Sequence, residues 1–239
     1  MKKKKLPWLM PVRSVVFLLI FLTGSALTGR SLDSISNWWS VVATLVNLAT
    51  IALLIISAKS CGMTYGQLIN YRKGSTKPRQ VMGITALVLI LGMGGMYLAG
   101  LVCYGKFPYL APKMIEPIPL VLAILNIPLL PVTAAFAEDG LYLGCGVNHI
   151  KNKYAAILIP AFFFAVQHSF IPTLPSIRHI AYRFLSFLPL AIVLCAYYRK
   201  KRDPLPIMVG HALIDVATVM WILVTSAVPG YYEKMQSMV

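Results

Sequence analysis

Glu138 and Asp139 stand side by side in "AFAEDGLYLG" (135–144), within an apolar run, in a chain with only seven acidic residues. His168, His211 and Asp215 interrupt other apolar runs in the same way. An Asp at the centre of a membrane helix costs roughly 2.5–3.5 kcal/mol to insert. Three such acids must therefore meet one another, a cation or water, and ionisable side chains at membrane depth are candidates for function. Glu138 with His168 can hold a water and take its proton. His211 can donate to a developing oxyanion. Asp215, four residues on and so on the same helix face, can fix its ring or share the donor role. Phe164 shares a face with His168 by the same spacing. Two imidazoles and a carboxylate with an open position would also suit Zn²⁺, but no HExxH is present and the metal-free reading is the stronger.

The elements that must position these residues are membrane helices. The chain has 239 residues, of which 58% are hydrophobic and only 12% charged. Soluble domains carry about a quarter charged residues. That composition predicts an all-α, polytopic membrane bundle of seven or eight transmembrane helices in a single domain, 1–239. Apolar runs of about 20 residues give spans near 15–28, 38–57, 81–104, 117–144, 155–171, 184–198 and 205–228. The fourth, broken by Pro128 and Pro131, has room for a re-entrant piece or an extra helix. The basic start and apolar stretch at 1–29 resemble a signal peptide, yet the spans that follow favour an uncleaved first helix.

The net charge of +15 does not point to nucleic acid, because the basic residues lie in short loops between apolar runs. Of the 22 Lys and Arg, 16 fall on the N-terminal face, Arg13 among them, and six on the other, including Arg183. By the positive-inside rule the N-terminus is cytoplasmic in a multi-pass cell-membrane protein. Counting inward at about 1.5 Å per residue puts Glu138, His168, His211 and Asp215 in one layer, in the cytoplasmic half to the middle of the membrane. His149 and His179 read as loop residues, and the stretch 63–80 as a cytosolic loop with a short amphipathic piece against anionic lipid. Cys61, Cys103, Cys145 and Cys195 have no metal-ligand spacing and imply no disulfide framework.

In order, "EDGLYLG" (138–144), "FFAVQH" (163–168) and "HALID" (211–215) resemble the CPBP or Abi family of intramembrane proteases, which includes the type II CAAX prenyl endopeptidases. The resemblance covers a core at about 117–228 and spans the family's Glu-Glu-x-x-x-Arg, Phe-x-x-x-His and His-x-x-x-Asn/Asp motifs. It implies that Glu138 is the catalytic glutamate, that His168 helps activate water, and that His211 and Asp215 form the oxyanion site. It implies no cofactor, a peptide or lipidated-protein substrate, and in a bacterium the processing of a signalling or bacteriocin-like peptide. Two positions depart from the pattern: Asp139 replaces the second glutamate, and Leu143 stands where the family has arginine. The competing readings are an inactive scaffold or regulator of the same family and, ranked last, a proton-coupled transporter.

Overall fold

Once water is excluded, a spanning segment satisfies its own backbone only as a helix. The computed structural model describes residues 3–109 and 111–237. Lys2, one of the 16 basic residues assigned to the N-terminal face, lies outside them. Helix α1 (Leu9–Thr28) follows a 3₁₀ turn and ends at Gly29, whose φ of 67° is left-handed. Helices α2 (Trp39–Ser60) and α3 (Pro78–Tyr104) follow, joined by a chain that includes the single turn Tyr65–Leu68. Helix α4 (Leu120–Ala134) runs without a break through Pro128 and Pro131 into wider π-helical turns at Ala135–Val147. Helices α5 (Ala155–His168), α6 (Ile177–Lys201) and α7 (Leu205–Ala227) complete the bundle.

Six of these segments are long and apolar enough to cross a membrane, and α5 is a shorter apolar helix of 14 residues. The expected all-α polytopic bundle is therefore present, with no strand among the described residues. Its connections gather at two ends. At one, Asn70 donates to Asn148 (2.8 Å), and Asn148 donates to the Tyr198 hydroxyl (2.8 Å). At the other, Lys113 bridges Asp33 (3.1 Å) and Glu116 (3.2 Å), and Thr225 donates to the Ile115 carbonyl (2.7 Å).

Three of the residues expected in loops are buried inside helices. Arg13 is buried in α1, and His179 and Arg183 are buried in the first turns of α6. Helix α6 starts earlier than its hydropathy suggests, because the Ser176 hydroxyl caps it by accepting from the His179 N–H (3.3 Å). A hydropathy window counts each cation or imidazole as a cost and cannot see the tertiary surroundings that bury it.

Small residues let the helices close on one another, the usual means of packing in membranes. A Cβ on Gly95 of α3 would sit 2.4 Å from the Ser186 carbonyl oxygen of α6. One on Gly146 would sit 2.7 Å from Pro160 of α5. Most of the apolar packing falls into two large clusters, called layers below. Met10, Leu54, Tyr142, Phe164 and Ile207 belong to one, and Phe17, Trp39, Leu130, Val219 and Ile222 to the other. Arg13, Glu138 and His211 each fall in sequence between a member of the first layer and a member of the second. The polar residues thus form a seam between two apolar blocks.

Candidate active site

Glu138 and Asp139 project from the π-helical turns, a geometry that is rare and frequently found at functional sites. Both are 5% exposed, too buried to be reaching headgroup water. The two oxygens of Glu138 have different surroundings. Oε1 accepts from Arg13 Nη2 (3.0 Å) and from Gln167 Nε2 (2.8 Å). Oε2 has no hydrogen-bond partner and lies 3.8 Å from His168 Nε2 and 3.8 Å from His211 Nε2.

Arg13 is held on three sides. Its Nε donates to Gln167 Oε1 (2.7 Å), Nη1 to Thr50 (2.6 Å) and Nη2 to Asn47 Oδ1 (2.6 Å) as well as to Glu138. Tyr142 donates to the same Gln167 oxygen (2.7 Å), which fixes the amide so that its NH₂ points at Glu138. Asn47 and Thr50 belong to a polar stripe on α2, with Ser40 and Thr44, at helical spacing. Asn126 of α4 donates to Ser40 (2.9 Å), and Asn47 to Thr133 (3.4 Å), so the stripe packs on α4. A charge-assisted hydrogen bond of this kind is roughly twice as strong as a neutral one. A cation from α1, 125 residues away in sequence, thus stands beside Glu138, while Leu143 of the motif carries none. Leu143 itself is 3% exposed, among the apolar residues of the first packing layer.

The two histidines are held differently. His168 Nδ1 lies 2.8 Å from the Phe164 carbonyl oxygen, so that nitrogen carries the proton and Nε2 is left facing Glu138. Its ring stacks on Phe187 (3.9 Å between centroids) and lies against Phe164 (4.4 Å). His211 Nδ1 points to Asp139 Oδ2 (3.4 Å), and its Nε2 lies 3.7 Å from Asp215 Oδ2. The acid at the inner ring nitrogen is therefore Asp139, the shortened second acid of the motif, and not Asp215 as the one-turn spacing suggested. Asp215 faces the nitrogen that points at the reacting centre and is the more accessible acid, its side chain 26% exposed.

Glu138, His168, His211 and Asp215 border one cavity of about 70 Å³, together with Arg183 and Phe187. Water needs roughly 10–15 Å³ of such space, so the cavity can hold several. Among the described residues no three His, Cys, Asp or Glu side chains converge as metal ligands would.

A carboxylate with one oxygen fixed and the other free between two imidazoles has the chemistry to take up and return a proton. The family described as type II CAAX prenyl endopeptidase Rce1-like matches residues 120–217, from the start of α4 to just past Asp215. Through that stretch, short of half the chain, the protein is similar to CAAX-type membrane proteases, which supports the CPBP/Abi resemblance. No curated protein and no solved structure matches the chain significantly. Sequence reasoning missed Arg13, Gln167, Asn47 and Thr50. The polar stripe on α2 was a signal for the last two, and Gln167 stood unread beside His168 in "FFAVQH".

Proposed function

We propose that this protein is an intramembrane endopeptidase in which Glu138 activates a water for attack on a peptide bond. The observation that carries this reading is the asymmetry of the Glu138 carboxylate: Oε1 is tied to Arg13 and Gln167, while Oε2 is free between His168 and His211. A water between Oε2 and His168 Nε2 would donate one proton to each. Glu138 takes the first proton as the water oxygen bonds to the carbonyl carbon. The resulting oxyanion accepts from His211, whose ring is steadied by Asp139, with Asp215 beside it. When the C–N bond breaks, Glu138 returns the proton to the leaving nitrogen. No step needs a metal. The substrate is a peptide or lipidated protein met from the bilayer, cut in the cytoplasmic half of a cell membrane crossed by a single domain whose N-terminus faces the cytoplasm.

The competing reading, an inactive relative, rests on Leu143, and the Arg13–Glu138 pair favours the active one because a cation does stand beside the acid. The test is the purified full-length protein with a library of apolar-tailed peptides, products read by mass spectrometry. Glu138→Gln and His168→Ala should each abolish cleavage while still inserting and melting cooperatively, and a chelator should leave the rate unchanged. Cleavage retained by folded Glu138→Gln would overturn the mechanism.

A further inference from the structure

Arg183 lines the cavity of Glu138, His168, His211 and Asp215, yet the mechanism above does not use it. It is 1% exposed. Its Nε makes one long hydrogen bond, 3.4 Å to the His168 carbonyl oxygen, and its Nη1 has no partner. Among the described residues it forms no ion pair, although Asp215 borders the same space. The guanidinium lies over the Phe187 ring (4.7 Å), and that ring stacks on His168 (3.9 Å), so packing fixes Arg183 relative to the water-activating histidine. A buried cation with a donor left unpaired is unfavourable to hold. Arginine's planar fork matches a carboxylate in two-point geometry. An entering peptide brings one common planar anion, the carboxylate of its C-terminus or of an acidic side chain, and a carboxylate is small enough for this cavity.

Resting on the protease reading, we propose that Arg183 binds a carboxylate of the substrate and thereby sets which bond lies over Glu138. Binding tests this apart from cleavage, on the full-length protein in detergent carrying Glu138→Gln. Three probes are compared: dodecanoyl-Leu-Leu-Leu as the free acid, the same peptide as its C-terminal amide, and an amidated peptide with an internal Glu. The free acid or the internal-Glu probe should bind about tenfold tighter than the plain amide, as a charge-assisted hydrogen bond warrants. Whichever of the two is favoured names the source of the carboxylate. Adding Arg183→Gln should erase the preference, and Arg183→Lys should keep part of it. Equal binding of all three probes to Glu138→Gln would overturn the proposal, and that comparison does not depend on whether Arg183→Gln folds. A preference that survives Arg183→Gln would overturn it as well. Selective binding without any peptide cleavage by the unmutated protein would sink the protease reading alone.

Discussion

Two arginines are buried beside the same site, and their surroundings are opposite. Arg13 spends its donors on Gln167, Thr50, Asn47 and Glu138, at 2.6 to 3.0 Å. Arg183 has one long bond to a carbonyl and an unpartnered Nη1. A satisfied buried charge belongs to the framework, and its loss leaves its partner carboxylate uncompensated. An unsatisfied one is a group waiting for an acceptor. In the proposed mechanism the difference separates the residue that holds the base in place from the one that meets what the base acts on.

The comparison can be broken most readily through stability. Arg13→Gln should cost about 3–5 kcal/mol, because it strands Glu138 in the seam, and thermal melts in detergent would read the loss. Gln167→Ala should cost less, about 1–3 kcal/mol, since it removes acceptor and donor together from a partly redundant cradle. Arg183→Gln should change stability by about 1 kcal/mol or less, having so little to lose. A melt lowered as far as that of Arg13→Gln would erase the contrast. Lys113→Ala, at the exposed Asp33 and Glu116 bridges, should fall within about 0–1 kcal/mol and serves as the baseline.

Much of this was legible in the sequence. Charge-poor runs specify membrane helices, and isolated Glu, His and Asp within them specify a polar seam. Spacing of four residues put His211 beside Asp215, and order along the chain brought the three motifs into view. What spacing could not convey was contact between distant segments. Arg13 looks like one more basic anchor at the head of a helix until α1 is packed against α2 and α5. Arg183 and His179 look like loop residues because a local hydropathy window cannot credit a cation or an imidazole with the tertiary surroundings that bury it. Asp139 was read as a neighbour of Glu138, whereas the wider π-helical turn carries it to the far nitrogen of His211. The expected weak point, Leu143, is an apolar packing residue, and the cation beside Glu138 comes from another helix.

The central claim, that Arg13 and Glu138 act as one charged unit at the reacting centre, is tested most directly by a double-mutant cycle. Melting free energies would be measured for Arg13→Gln, Glu138→Gln and the pair. The double variant should be little worse than the weaker single one, giving a coupling of about 2 kcal/mol. Losses that simply add, to within about 0.5 kcal/mol, would contradict it.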